Sequence, residues 1–277
     1  MRADVLEAVS SWPVGTAAAA VVGPDGVLAA TGPLEHRFAL ASVTKPLAAL
    51  AILVAVEEEA VSLDDPADDA LIPGATLRHL LAHASGLAPE RPLKSFPPAT
   101  RRVYSNVGIE LAASLVADAA AMPFPDYLHE AVVRPLGLTA TALPPPGSAA
   151  RDGVASVADL ALVVHELLNP TGLLAPSTLA DLRTVQYPGL RGVLPGFGGQ
   201  DPNDWGLGFE IRGHKSPHWT GSHNSPATYG HFGQSGTMFW IDPEAGVGLV
   251  ALADRDFGPW AASAWPALAD TVLASIA

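Results

Sequence analysis

Ser42 and Lys45 stand three positions apart in Ser42-Val43-Thr44-Lys45. On a helix that spacing puts both side chains on one face, where the amine can reach the hydroxyl. A serine is a weak nucleophile until an adjacent base removes its proton. A lysine becomes such a base when apolar surroundings disfavour its ammonium form. The run Pro46-Leu47-Ala48-Ala49-Leu50-Ala51-Ile52 supplies those surroundings, and a helix start stabilises developing negative charge. The chemistry that fits is acyl transfer through a covalent serine. A serine cap followed by a surface lysine spells the same four letters. Burying an ammonium in so apolar a helix without a purpose, however, is costly.

Two further segments carry chemistry. Tyr104-Ser105-Asn106 precedes a predicted helix. A tyrosine beside an ammonium can have its pKa lowered and act as general base or acid. The Asn106 amide can bond both a catalytic lysine and a substrate carbonyl. The bland reading is a helix-start loop capped by Ser105 or Asn106. The other segment is Gly230-His231-Phe232-Gly233-Gln234-Ser235-Gly236-Thr237, which leads into a strand. Glycine lets backbone approach a ligand closely, and an N–H beyond Gly233 could polarise a carbonyl in an oxyanion hole. An ordinary Gly-rich turn reads the same way. No Gly-Lys-Ser/Thr follows, so this is not a phosphate loop.

The elements that must hold these residues show in the hydropathy pattern. Residues 17–31 read as a hairpin around Gly23-Pro24-Asp25-Gly26. From Ser42 to about Ala60 the pattern is a helix apolar nearly all round, hence largely buried, with Pro46 tolerated in its first turn. Predicted helices follow at 76–84, 106–121, 125–133, 156–168 and 176–185, with loops at 143–147 and 187–202. Trp205–Arg212, Gly236–Ile241 and Val247–Ala253 are strand-like, and a helix closes the chain near 260–276. Strands at both ends with helices between imply an α+β fold: a mostly antiparallel sheet flanked by terminal helices, plus an inserted all-helical lobe. The lobe boundaries expected are 1–60 with 201–277 for the α/β lobe and 61–200 for the helical one. A cleft between lobes is a natural ligand site.

Composition removes other functions. The chain has 277 residues, with 15 Lys or Arg against 28 Asp or Glu, and a formal charge of -13. That balance excludes a nucleic-acid binder, which needs a clustered positive surface. The hydrophobic share of 49% excludes a disordered chain. The absence of cysteine excludes disulfides, thiolate metal clusters and a cysteine nucleophile. The longest apolar run, Pro46 to Val56, has eleven residues, against about 18 for a membrane span. With no basic n-region and leucine-rich core at the start, a cytoplasmic location is expected. Lysine is scarce: Lys45, Lys94 and Lys215 are the whole complement.

Taken in order, the three motifs resemble those of the serine β-lactamase and penicillin-binding-protein superfamily, nearest its class C-like branch with serine esterases and D-alanyl-D-alanine peptidases. Phe38-Ala39-Leu40-Ala41-Ser42-Val43-Thr44-Lys45-Pro46 looks like the nucleophile segment. Leu80-Leu81-Ala82-His83-Ala84-Ser85-Gly86-Leu87, Val103-Tyr104-Ser105-Asn106-Val107-Gly108 and Pro135-Leu136-Gly137-Leu138 follow in family order, and Gly230 to Pro243 resembles the third-motif strand. The resemblance covers about residues 15 to 275. It implies the two-lobe fold, with no cofactor and no metal. It makes Ser42 the acylated nucleophile, Lys45 its proton acceptor or electrostatic activator, and Tyr104 the general base/acid partner. Asn106, His231 and Gly233 would bind substrate, Gly233 by keeping the strand edge open. The backbone N–H groups of Ser42 and Gln234 would form the oxyanion hole.

One departure bears on substrate. Where the lactamases have Lys-Thr-Gly, this chain has His231-Phe232-Gly233. Phe232 offers no hydroxyl for a substrate carboxylate, and His231 is expected to be only partly charged near neutrality. The short stretch from Thr31 to Phe38 suggests a reduced cleft wall. These points favour a neutral ester or amide, and carboxylic ester hydrolysis is the expected activity. β-Lactamase or D,D-peptidase activity is the alternative, and a non-catalytic ligand-binding module the second. Oligomeric state is left open. His79 and His83 have zinc-helix spacing without the Glu of His-Glu-x-x-His, and His165-Glu166 lacks the second His. His214, His218 and His223 read either as loop imidazoles or as part of a lid.

Overall fold

The computed structural model describes residues 4–276. The hairpin forms as expected: β1 (Ala17–Gly23) and β2 (Gly26–Thr31). After β3 (Phe38–Ala39), a 3-10 turn at Ala41–Val43 runs into α1 (Thr44–Glu57). Then come α2 (Leu77–Leu81), α3 (Asn106–Ala120), α4 (Phe124–Leu128, continued by a π-helical turn, His129–Val133), β4 (Val154–Ala155), α5 (Val157–Leu168) and α6 (Pro176–Leu182). The chain finishes with β5 (Gly192–Leu194), β6 (Gly198–Gln200), β7 (Glu210–Ile211), β8 (Tyr229–Gly233), β9 (Thr237–Asp242), β10 (Val247–Ala253) and α7 (Pro259–Ala274).

The main sheet runs β2-β1-β10-β9-β8-β7, with every neighbouring pair antiparallel. Strand alternation divides its side chains between two cores. Ala18, Ala20, Val22, Phe239, Ile241, Val250 and Leu252 join the larger core. Ala19, Val21, Met238, Trp240, Leu249 and Ala251 join the smaller one. The N-terminal 3-10 helix (Glu7–Ser11) and α7 cover the second face with Val9, Trp265, Leu268 and Val272. Central strands buried on both faces read as continuous apolar runs, which explains the alanine-and-valine run that fills β1 up to its terminal Gly23. The α+β fold with terminal helices flanking an antiparallel sheet is therefore the one observed.

Three details differ from expectation. α5, assigned by sequence to the helical lobe, packs on β1, β9 and β10, so the sheet's other face belongs to it. The lobe spanning 61–200 is not all helix, because β5 and β6 make a small hairpin inside the predicted loop. Strands this short have too little periodicity to be read. β7 shrinks to two residues of the predicted Trp205–Arg212. Its approach is bent at Gly208, with φ 79°, where a Cβ would lie 2.2 Å from Ala49 Cβ. The chain needs glycine there to pass against α1.

α1 is buried all round, from Thr44 to Leu53, and packs against α3 and α4. No single helix among the described residues is long and apolar enough to cross a membrane.

Candidate active site

A cleft opens beside the turn that carries Ser42. It has a volume of about 270 Å³ and is lined by Ser42, Glu90, Tyr104, Trp205, Glu210, His231 and Gln234, among others. Ser42 is held at its edge by the 3-10 turn. In such a turn residues i and i+3 eclipse, and Lys45 Nζ lies 3.1 Å from Ser42 Oγ. Ala41, immediately before the serine, has φ 45°, a left-handed conformation that costs a non-glycine residue about 1–2 kcal/mol. The surrounding bonds hold it there. Thr44 Oγ1 donates to Ala41 O at 2.7 Å and accepts from Gly153 N at 2.9 Å, while Leu40 N donates to Gly153 O at 2.8 Å. Thr237 Oγ1 donates to Leu40 O at 2.9 Å from β9. The serine's entry angle is thus fixed from the sheet and from the segment before β4. Backbone strain of this kind is kept where geometry matters more than stability.

Lys45 is fully buried, and burial lowers its pKa to about 7, helped by the positive charge of Arg151 and opposed by Glu110 and Glu90. Its second partner is Ala150 O at 2.8 Å. Glu110 holds that carbonyl in place, accepting from Ala150 N at 3.1 Å and from the Ser148 hydroxyl. Among the described residues no carboxylate contacts the ammonium, so near neutrality the amine is divided between its two forms.

Tyr104 stands beside this pair, its ring centroid 4.7 Å from Lys45 Nζ. The expected depression of its pKa is reversed. Burial raises it, the Ser42 hydroxyl only partly offsetting this. The phenol therefore keeps its proton, and any base role passes to Lys45. An aromatic cluster fixes the ring: His83 at 4.7 Å, Trp205 at 5.7 Å and His231 at 5.9 Å between centroids.

His231 lies on β8, almost wholly buried. Burial and the nearby Lys45 push its pKa down to about 3, so it is neutral rather than partly charged. Its Nδ1 lies 2.7 Å from Phe232 O, which can only accept, so Nδ1 carries the proton. Nε2 keeps a lone pair and has no partner among the described residues.

Asn106 departs from its expected part. Its Nδ2 donates to Glu90 Oε1 at 2.5 Å, and Glu90 Oε2 accepts from Arg151 at 2.8 Å. The amide donors are turned to Glu90, and Lys45 is held by Ser42 and Ala150 instead. The amide oxygen, Oδ1, has no partner among the described residues. Gly233 also acts differently. A Cβ there would lie 2.3 Å from Leu40 O and 2.5 Å from Thr237 Oγ1, so glycine lets β8 pack on the segment that carries Ser42. It shapes the protein's own backbone beside the nucleophile. Gln234, next in sequence, lines the cleft with Ser42.

Sequence reasoning missed Glu90, Trp205 and Glu210. Glu210, on edge strand β7, is buried beneath the cleft, where it accepts from Lys215 at 2.7 Å, from His218 at 2.9 Å and from Trp219 at 2.7 Å. These partners hold its carboxyl well below the usual carboxylate range. His218 thus belongs to a buried ion cluster, His223 pairs with Asp270 at 3.1 Å, and His214 is exposed. The zinc-spaced pair is split by function. His79 Nδ1 sits 3.0 Å from Thr76 Oγ1 at the start of α2, whereas His83, beyond its end, accepts from Ser105 N at 3.2 Å.

The β-lactamase family pattern matches residues 13–273. The chain belongs to the β-lactamase family. A solved structure of a β-lactamase from Mycobacterium bovis superposes with TM-score 0.95 at 53% identity, covering 98% of this chain and 99% of that one. EstCE1, a hydrolase with promiscuous acyltransferase activity, superposes with TM-score 0.80 at 18% identity over 97% of each chain, a likeness of fold. A Salmonella schwarzengrund protein provisionally named a D-alanyl-D-alanine carboxypeptidase is 27% identical over 215 aligned positions, 59% of this chain and 48% of that protein. The chain therefore spans about half the length of the curated relatives it matches.

Proposed function

We propose that the protein is a cytoplasmic serine esterase that cleaves neutral carboxylic esters through an acyl-serine. The observation that carries this reading is a buried Lys45 amine 3.1 Å from Ser42 Oγ, with a pKa of about 7 and no carboxylate in contact among the described residues. Neutral Lys45 takes the Ser42 proton as Oγ adds to the ester carbonyl. The backbone N–H groups of Ser42 and Gln234 face the carbonyl oxygen as it gains charge, the role such donors fill in acyl transfer. Tyr104, which keeps its proton, relays it from Lys45 to the departing alkoxide. Water then cleaves the acyl-serine with the same groups in reverse.

The preference for a neutral substrate rests on charge. In place of a cation, the third motif offers neutral His231 with a free lone pair on Nε2. Two carboxylates, Glu90 and Glu210, line the same cleft. A substrate carboxylate would lose its hydration beside two carboxylates, with only the half-charged Lys45 to offset them.

The test is intact mass after incubation with an ester panel and a penicillin. An acyl adduct from the esters, absent in Ser42→Ala, is the expected result. Labelling by a fluorophosphonate that persists in Ser42→Ala would overturn the nucleophile. A second reading, β-lactam hydrolysis, is favoured by the described activity of the 53% identical Mycobacterium bovis relative. Faster turnover of a chromogenic cephalosporin than of a short p-nitrophenyl ester would establish it over ours. Saturable binding of acyl compounds with no turnover of either would instead support a non-catalytic module.

A further inference from the structure

A second groove adjoins the cleft. Its volume is about 410 Å³, and Tyr104 and Pro195 line both cavities. The remaining walls are Pro89, Phe96, Val103 and Val193, with Arg101 and Arg102 beside them. Large apolar side chains are seldom left bare without a use when they cluster. Val193 is 56% exposed and Phe96 37%, and Leu93, 52% exposed, stands on the same loop as Phe96. The Arg101 guanidinium lies over the Phe96 ring at 5.3 Å and covers one side of it.

The walls are held rigidly. Arg102 is buried and donates to Ala82 O at 2.6 Å, Gln186 O at 2.7 Å and Asn203 O at 3.0 Å. Its backbone N–H donates to Arg191 O at 3.0 Å, which ties the wall carrying Val193 to the wall carrying Val103. Ser95 and Phe96 both donate to Gly86 O, at 2.8 and 3.1 Å. A ligand would meet a preformed surface.

We propose that this groove binds the alcohol part of the substrate ester and selects an apolar alkyl chain of several carbons. The inference rests on the esterase reading. As Ser42 Oγ bonds to the carbonyl carbon, the bond from that carbon to the alkoxy oxygen breaks. The leaving oxygen needs the proton that Ser42 gave to Lys45. With the carbonyl oxygen turned to the Ser42 and Gln234 backbone, the leaving oxygen faces the Tyr104 hydroxyl. Whatever follows that oxygen runs past Tyr104 and Pro195, into the second groove.

The test compares two series in a pH-stat: alkyl acetates from ethyl to hexyl, and ethyl esters of acids from acetic to octanoic. In the alkyl acetates kcat/KM should rise by up to about fourfold per methylene, the value of a buried CH₂. Val193→Asp should flatten that rise, whereas Leu162→Asp, at an exposed apolar site on α5, should leave it intact. A rise along the acid series alone, or a rise that survives Val193→Asp, would overturn the assignment. Saturation-transfer NMR of 1-hexanol with the wild-type and Val193→Asp proteins reads the groove without turnover. Magnetisation transfer to the alkyl chain that disappears in the variant supports the proposal, and equal transfer in both proteins overturns it. If ethyl acetate itself is not cleaved, the esterase reading fails, and the NMR result still decides the groove.

Discussion

Two of the three lysines are buried, and their surroundings treat the charge in opposite ways. Lys215 meets Glu210 at 2.7 Å, and the carbonyls of Asp204 and Ile211 accept at 2.9 and 2.6 Å. Burial lowers its pKa, but the ionised Glu210 in contact holds it as a cation. Lys45 meets a hydroxyl and one carbonyl, with its nearest carboxylates acting only at a distance. Burial alone therefore does not make a lysine a base. What decides is whether a counter-charge lies in contact. One lysine has a charged partner and ties edge strand β7 to the loop that follows it. The other has none and can exchange its proton near neutrality.

Breaking the structural pair should produce the largest change in stability. Lys215→Met leaves Glu210 buried with too little counter-charge, a loss of about 3–5 kcal/mol. Urea unfolding measures it. The double variant Lys215→Met/Glu210→Gln should recover part of that loss, because no lone charge is left in the interior. A double variant no more stable than Lys215→Met would show that the site needs these shapes rather than these charges.

Lys45→Met should do the reverse. It removes a poorly compensated charge, so the melting temperature should hold or rise. Ester kcat/KM should fall by roughly 10²–10⁴-fold, the usual scale for losing a general base. A large drop in both stability and rate would erase the contrast between the two lysines.

The contrast also sets pH dependence. If neutral Lys45 takes the Ser42 proton, kcat/KM falls about tenfold per pH unit below its pKa of about 7 and levels off above it. Stability moves with the same group. Lys45 releases its proton near pH 7 in the folded chain, against 10.5 in the unfolded one. Between those values the unfolded state binds more protons, so this residue's penalty is fully present below about pH 7 and fades as pH rises toward the unfolded value. The stability advantage of Lys45→Met should therefore shrink from pH 7 to pH 10, as followed by urea unfolding at each pH.

Much of this site is legible in local pattern. Ser42 and Lys45 are three residues apart, so one turn of chain suffices to pair them. The hairpin at 17–31 and the all-apolar α1 are equally local. What escapes such reading depends on packing between distant segments. Nearness to an ammonium suggests a lowered pKa for Tyr104, and burial outweighs that nearness. The sequence points Asn106 toward Lys45 and substrate, but Glu90, sixteen residues earlier in a loop, takes its donors. Trp205 and Glu210 sit where glycines bend the chain around α1, a path no periodicity marks. α5 has an ordinary amphipathic pattern that does not say which lobe it faces.

The smallest effect concerns tuning rather than presence of the base. Arg151 is half exposed and pairs with Glu90 at 2.8 Å, yet its charge is the second cause, after burial, that lowers the Lys45 pKa. Arg151→Ala removes that positive charge and also frees Glu90, which favours the Lys45 ammonium. Both changes act in one direction. The rising limb of the pH–rate profile should move to higher pH, and the rate on its plateau should hold. Solvent screens an exposed charge, so the shift should stay below about one unit, near 1.4 kcal/mol at most. Arg151→Lys keeps the charge and should keep the profile in place. A limb that moves equally in both variants would mean that Arg151 acts through the shape of the Glu90–Asn106 wall. A limb that moves in neither would mean that burial alone sets the proton affinity of Lys45.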